Sequence, residues 1–422
     1  MKVYKFGGAS ISSLERIKTT AEIIRSHSNE KILIVISALG KTTNALEKVT
    51  EAFFEGRKDE ALQLFEQVKE THLSLSKYLV TVNWQQSEAQ LKDFFTEVEW
   101  MLHDKPVRDF DYYYDQVVCS GELMSSSLVS NYLKEEKIAN EWIDVRDIIR
   151  TNDNFRNAAI DWSFTAKKIE EEILPFFKNT NIIITQGFIG ATDENESTTL
   201  GREGSDYTAA VFANIMDAEN VTIWKDVEAV MNADPRQFPE AVKIPQLSYT
   251  EVIEMAYYGA QVIHPKTIKP LQNKRIPLFV KSFIDPSLPG TVINEQNTKG
   301  LPQVIIIKEK QVLVQFNSKD FSFVSGEPAE QLHDMINDLH LESNLSQNTA
   351  ISLFCCFDNS EKISRLATNA SELFDVELEK DLTLVTIRHY DDKNIKRFTE
   401  NKIIVLEQRT LATVQFLIRA VN

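Results

Sequence analysis

Apolar positions along this chain fall into two recurring patterns. One is a short unbroken run, as in Lys2–Phe6, Ile32–Ile36, Ile182–Thr185, Val221–Trp224 and Leu278–Lys281. Such runs, rich in Ile and Val, read as strands of a parallel sheet covered on both faces. The other places apolar residues three and four apart, as in Leu14, Ile17, Ala21 and Ile24, and reads as an amphipathic helix. Ser12, with Glu15 three residues on, is expected to start that helix as a capping box. Alternation of the two patterns predicts an α/β domain built on a mainly parallel sheet flanked by helices. Residues 57–105 keep the helical pattern almost throughout and read as an excursion from that sheet.

Between Asp285 and Pro302 the chain turns to linker chemistry, Asp-Pro-Ser-Leu-Pro-Gly and Asn-Thr-Lys-Gly-Leu-Pro. We therefore expect one domain over 1–297 and a second region over 303–422. In the latter, strands are expected at Gln311–Phe316, Ala350–Phe357, Leu382–Arg388, Lys402–Glu407 and Thr413–Ile418, with helices at Ala329–Leu339 and Glu361–Leu373. This is the β-α-β-β-α-β rhythm of an α+β, ferredoxin-like module, a type that often senses ligands.

Composition narrows the function. A length of 422 residues exceeds one ordinary core, and 43% apolar with 26% charged residues is a globular mixture. The formal charge of −16, with no long Lys/Arg run, argues against a nucleic-acid partner. Cys119, Cys355 and Cys356 form no CxxC pair, so neither a disulfide frame nor a structural zinc site is expected. The apolar runs are too short to span a bilayer, and Met1–Phe6 enters a strand without a signal-peptide pattern, so a cytoplasmic location without membrane partners is expected.

Five loops, at strand ends or helix starts, carry the candidate chemistry, because open α/β sheets bind ligands beyond the carboxyl ends of their strands. Lys5-Phe6-Gly7-Gly8 offers a cation and two glycines that let backbone approach an anion, or else forms an ordinary tight turn. Ser37–Asn44 contains Gly40-Lys41-Thr42, the end of a Walker-like loop, but Val35 occupies the required first glycine, which rejects a P-loop. Ser120-Gly121-Glu122 opens a helix whose dipole alone explains a carboxylate. Thr198–Tyr207 sets Arg202, Ser205 and Asp206 among glycines; capping accounts for Ser205 or Asp206, but not for Arg202. Trp224-Lys225-Asp226 and Asp234-Pro235-Arg236 supply cations suited to phosphates.

Taken in order, these loops resemble the aspartate kinases of the amino-acid kinase family, with Asp144-Val145-Arg146, Thr185-Gln186-Gly187-Phe188 and His264-Pro265 as further markers. The resemblance runs from Lys2 to about Ser282. It implies ATP-dependent phosphorylation of the β-carboxylate of L-aspartate to 4-phospho-L-aspartate, the opening of the route to lysine, threonine and methionine, with Mg²⁺ beside ATP. By resemblance, Arg202 takes the α-carboxylate and Glu122 the ammonium, while Thr43 and Ser205 position the β-carboxylate. Lys5 and Asp206 are the implied catalytic pair. Lys5, Gly7, Gly8, Lys225, Asp226, Met231, Arg236, Gln261 and Lys266 are assigned to ATP. Gln261 stands where the family usually has a phosphate-contacting Lys, and Lys266 or Lys225 is expected to replace that charge; Glu203 stands where Gly or Asn is frequent. The C-terminal region is similar to a pair of ACT modules with the second shortened, implying a homodimer through strand pairing and a weakened effector response. Phe321–Glu327 departs from the segment that holds the effector in lysine-sensitive members. A sibling kinase of another small substrate, or a catalytically silent amino-acid sensor, would share the same fold.

Overall fold

The computed structural model describes residues 1–320 and 326–421. Segment 321–327, singled out above, therefore lies outside the described residues except for its last two positions. The chain divides into two compact units. The first comprises Met1–Val230, Lys243–Ile253 and Val262–Thr298; the second comprises Met231–Val242, Glu254–Gln261 and Lys299–Asn422. The second unit thus takes two short segments from within the stretch read as the first domain. Among the described residues no helix is long and apolar enough to cross a membrane.

The first unit is organised by strands β1 (Lys2–Phe6), β2 (Ile32–Ile36), β3 (Glu141–Trp142), β4 (Ile182–Gln186), the small ribbon β5 (Ile189–Ala191) with β6 (Ser197–Thr199), β7 (Asn220–Lys225), β8 (Gln246–Ser248), β9 (Leu278–Ser282) and β10 (Thr291–Asn294). Eight of them form one sheet in the order β3-β4-β2-β1-β7-β9-β10-β8. Pairing is parallel from β3 through β9 and turns antiparallel only between β9 and β10. All five residues of β2 are buried, as the Ile-Leu-Ile-Val-Ile run requires of a strand covered on both faces. Helices α1 (Leu14–Ser26), α2 (Thr42–Phe54), α3 (Lys58–Leu79), α4 (Trp84–His103), α5 (Phe110–Val118), α6 (Ser120–Glu135), α7 (Trp162–Lys168), α8 (Leu174–Phe176), α9 (Gly204–Ile215) and α11 (Pro265–Lys274) accompany the sheet; α10 (Tyr249–Tyr257) begins in this unit and ends in the second. The helical excursion is the pair α3–α4. The start of α1 corrects the expected capping box. A 3₁₀ turn, Gly8–Ile11, intervenes, Ser12 turns its hydroxyl back to the Ala9 carbonyl, and Ser13 accepts from Arg16 N as the cap.

Because β1, β2, β4 and β7 run in one direction side by side, their carboxyl ends share one edge: Phe6 lies beside Ile36 and Trp224, and Ile36 beside Gln186. The chain leaves β1 for β2 and β4 on one side and returns to β7 on the other, which makes β1/β7 the switch point where such sheets open a ligand crevice.

The second unit is a six-stranded antiparallel sheet of β11 (Val304–Ser318), β12 (Ser343–Asn348), β13 (Ser352–Asp358), β14 (Phe374–Arg388), β15 (Lys402–Arg409) and β16 (Thr413–Ala420), in the order β12-β13-β11-β14-β16-β15. Helices α12 (Glu327–Asp338), α13 (Glu361–Ala370) and α14 (Asp392–Thr399) complete it. β11 and β14 each run 15 residues, well over twice the usual strand length of about 5–6, and their register slips between Lys308 and Gln311. Each long strand therefore serves two repeats. Gln311–Ser318 opens the first repeat, which closes on the start of β14; the end of β14 opens the second, whose fourth strand is Val304–Lys308. Strand β12 and helix α14 add to the expected elements. In the second repeat, Phe238 of segment 231–242 packs with Phe398, ring centroids 6.0 Å apart, over Val385, Phe416 and Ile418.

Candidate functional site

A cavity of about 490 Å³ opens at the carboxyl edge of the parallel strands of the first unit. The loops after β1 and β2 close on each other at its floor: Gly40 N donates to Gly8 O at 3.1 Å. Gly8 has to be glycine there, since a β-carbon would lie 2.6 Å from the Ala38 carbonyl oxygen. Gly187, after β4, is under the same constraint, because a β-carbon would sit 2.5 Å from Cβ of Ser205 and push away the first turn of α9.

Within the cavity the Lys5 ammonium lies 2.7 Å from Oδ1 of buried Asp206. Burial works to raise the Asp206 carboxyl, but the Lys5 and Lys225 ammoniums outweigh it and hold it below the ordinary value. Asp206 is therefore an ionised anchor for two cations rather than a helix cap; the residue preceding α9 is Glu203, in the left-handed region with φ 53°. Lys225, at the end of β7, lines the cavity and donates to the Val262 carbonyl at 2.9 Å. Glu122, in the first turn of α6, is 3% exposed. Its Oε1 accepts from Ala38 N at 3.3 Å, while among the described residues Oε2 has no partner. Burial raises this carboxyl to about 8, against the pull of Ala38 N–H and Lys5. Arg202 is exposed on the cavity wall and makes no hydrogen bond or ion pair among the described residues. Thr43 and Ser205 line the same space. The cavity thus presents a free guanidinium and a carboxyl group with one unpaired oxygen together with two lysines, a set that complements a small zwitterion next to an anion.

Residues 1–282 match the model of the amino acid kinase family. Over 395 residues the chain is 32% identical to lysine-sensitive aspartokinase 3 of Escherichia coli, covering 91% of this chain and 86% of that protein. The chain belongs to the aspartokinases of this family. A crystal structure of E. coli aspartokinase III in complex with aspartate and ADP superposes with a TM-score of 0.82 at 28% identity, over 99% of this chain and 96% of that one. A bifunctional aspartokinase/homoserine dehydrogenase of Zea mays is 33% identical over 298 residues, which is 70% of this chain and only 32% of the plant protein.

Of the family positions, Lys5, Gly8, Thr43, Glu122, Arg202, Ser205, Asp206 and Lys225 are brought together by the fold. Gly7 adjoins them, its missing side chain leaving room beside the Lys5 ammonium. Asp226 is exposed and does not line the cavity. Lys266 does not line it either; its ammonium donates to the Leu200 carbonyl and to Asn157 Oδ1. Met231, Arg236 and Gln261 belong to the second unit, where Gln261 is exposed and Arg236 forks onto Asp234 of its own turn.

Two lining residues escaped the sequence reading. Tyr114 lies in Phe110-Asp111-Tyr112-Tyr113-Tyr114, which reads as helix core; its hydroxyl donates to Glu47 at 2.8 Å. Arg156 reaches the cavity from a left-handed backbone, φ 65°, and stacks 4.4 Å over the Tyr114 ring. Asp115 fastens both neighbouring loops. Its Oδ2 accepts from Arg156 N and Thr199 N, and its Oδ1 from the Thr199 hydroxyl. Burial lifts the Asp115 carboxyl to about 6 despite those bonds.

Proposed function

We infer that the protein is an aspartate kinase that transfers a phosphoryl group from ATP to the β-carboxylate of L-aspartate, the entry step to lysine, threonine and methionine. The observation that carries this reading is the free Arg202 guanidinium sharing one cavity with the unpaired Oε2 of Glu122 and the Lys5–Asp206 pair. Arg202 forks onto the substrate α-carboxylate, which a planar two-pronged donor fits best. Glu122 Oε2 takes the ammonium. Thr43 and Ser205 hold the β-carboxylate, which is ionised at neutral pH and attacks without a general base.

Lys5 neutralises charge on the transferring group, Gly7 and Gly8 leave room for it, and Asp206 fixes the Lys5 ammonium in line. Lys225 supplies the second cation that Gln261 does not. Among the described residues no three His, Cys, Asp or Glu side chains converge as a metal cage. Mg²⁺ therefore belongs with the nucleotide phosphates in this reading, and no protein side chain is assigned to it. Asp226, Met231 and Arg236 are carried as nucleotide contacts on resemblance. So is a homodimer, for which the sheet edges β12 and β15 offer backbone for strand pairing.

A coupled assay with ATP, Mg²⁺ and L-aspartate tests the activity, with glutamate and acetylglutamate as controls. Arg202→Ala tests the site. It leaves the substrate carboxylate without its two-pronged donor, read as a large rise in aspartate KM with little change in ATP KM. An aspartate KM close to wild type refutes the assignment of Arg202.

A further inference from the structure

The turn that carries Arg202 is held at both ends by the beginning of α11. On the near side, the Lys266 ammonium donates to the Leu200 carbonyl at 2.9 Å and to Asn157 Oδ1 at 3.1 Å, and it lies 5.1 Å from the Tyr207 ring centroid. On the far side, Glu203 Oε2 accepts the backbone N–H of His264 at 2.9 Å. His264 is itself the cap of α11, its Nδ1 accepting from Lys266 N at 3.1 Å. Leu200 and Glu203 bracket Gly201-Arg202, so one helical turn grips both ends of one loop. Glu203 sits in the left-handed region, φ 53°, which residues with a β-carbon adopt uncommonly, and from there its carboxylate reaches His264 N. The carboxylate is also well placed electrostatically, since it faces the positive end of the helix.

We propose that Glu203 and Lys266 are positioning residues for substrate recognition: they hold the Gly201-Arg202 turn so that the guanidinium fork meets the substrate carboxylate. Lys266 then acts on the amino-acid half of the site and not on the nucleotide. Its ammonium is committed to two oxygens of the loop walls, whereas Lys225 lines the cavity. The consequence follows from geometry. A two-pronged contact tolerates little displacement, and a guanidinium free to swing loses part of its binding energy to ordering. The proposal rests on the reading of Arg202 given above.

Steady-state kinetics on the full chain, with ATP and L-aspartate varied in turn, decide it. Lys266→Met keeps the aliphatic stem against Tyr207 and removes both donor bonds. It is expected to raise aspartate KM about tenfold, with ATP KM and saturating kcat within about twofold of wild type. Glu203→Ala should do the same, and Glu203→Gln, which keeps an acceptor oxygen for His264 N–H, should restore most of the loss. Thermal unfolding of each variant separates loosening of the loop from loss of the fold. If Lys266→Met raises ATP KM, or lowers kcat with aspartate KM unchanged, the lysine serves the nucleotide and the proposal falls. It falls equally if Glu203→Ala and Glu203→Gln behave alike, a comparison that stands even where Lys266→Met does not fold. Arg202→Ala in the same assay keeps the two readings apart. A normal aspartate KM there removes the Arg202 assignment itself, whereas a raised KM with unaffected Lys266 and Glu203 variants removes only the positioning role.

Discussion

Each unit of this protein buries a cluster of polar side chains, and the two clusters are finished differently. At the register slip of β11 in the second unit, fully buried Gln311 has all its bonding capacity engaged. Its Nε2 donates to the Glu309 carbonyl and to Asp358, and its Oε1 accepts from Asn344 and from the Cys356 thiol. Lys308 completes the group by donating to Asn344 Oδ1 at 2.6 Å. In the cavity of the first unit, buried Glu122 keeps one oxygen partnerless and Arg202 has no counter-charge. Leaving a buried polar atom unpaired costs free energy, so native structures rarely do it without a reason. A closed network fixes architecture, here the point where one long strand passes from one repeat to the next. An open one waits for a ligand to close it.

That contrast is broken most directly from the cavity side. Lys5→Ala is expected to lower kcat by about 10²–10³, the scale for removing one charge-stabilising donor. The fold should survive, because Asp206 keeps Lys225 as a second cation and the cavity admits water to the rest. Near-normal turnover in a folded Lys5→Ala protein, measured in the coupled assay, would remove the phosphoryl-transfer role from the loop after β1. Lys225→Ala should lower kcat by less, since its ammonium is shared with the Val262 carbonyl.

The second unit should respond in the opposite way. Asn344→Ala takes a donor from buried Gln311 Oε1 and the acceptor from Lys308. We expect a loss of about 1 kcal/mol of stability, since buried Gln311 Oε1 keeps only the weak Cys356 thiol donor while half-buried Lys308 can turn to water, and unchanged kcat at a temperature where the protein is folded. Denaturant unfolding followed beside kinetics checks this. A kcat loss on the scale of Lys5→Ala would erase the distinction between the two clusters.

How much of this was visible beforehand depended on whether the information was local. Strands β1, β2, β4, β7 and β9 lay within a residue or two of their apolar runs, β2 and β4 because they are buried at every position and the others because their buried positions are still apolar enough to stand out. β12 and α14 were missed for the converse reason: Ser-Asn-Leu-Ser-Gln-Asn has one buried residue, and α14 has none. The capping box on Ser12 was displaced to Ser13 by a 3₁₀ turn, which leaves no periodic mark. Lys5 was legible because it lies near the end of β1, Glu122 and Asp206 because each falls in the first turn of a helix, and Arg202 because capping explains its neighbours but not a guanidinium between two glycines. Arg156 was not, since its place depends on a left-handed φ and on Asp115, which is 41 residues away. The assignment of 231–242 and 254–261 to the second unit was hidden as well. It depends on contacts such as Phe238 with Phe398 and Arg388 with Glu254, between residues more than a hundred positions apart.

The mildest prediction uses pH to read the open cluster directly. Burial lifts the Glu122 carboxyl to about 8, so in the free protein it is largely neutral at pH 7. A substrate ammonium binds the carboxylate form, and binding below pH 8 must therefore expel a proton. Aspartate affinity should accordingly rise with pH, aspartate KM falling by up to about tenfold per unit between pH 6.5 and 8 and levelling above, because one unit of pKa difference is one decade of binding. The window is chosen to isolate Glu122. Asp206, held low by Lys5 and Lys225 against its burial, stays ionised throughout, and Asp115, lifted to about 6 by burial, has mostly titrated by the lower limit. Glu122→Gln keeps the shape and cannot ionise, so it should bind aspartate weakly with no slope over the same range. ATP KM, read at saturating aspartate, should lack the Glu122 component in both proteins. A wild-type aspartate KM that is flat from pH 6.5 to 8 would mean that the buried carboxylate is already ionised, or that the ammonium is held elsewhere. In the second case Glu122 would join Gln311 as architecture, and the free oxygen in the cavity would no longer mark the substrate's place.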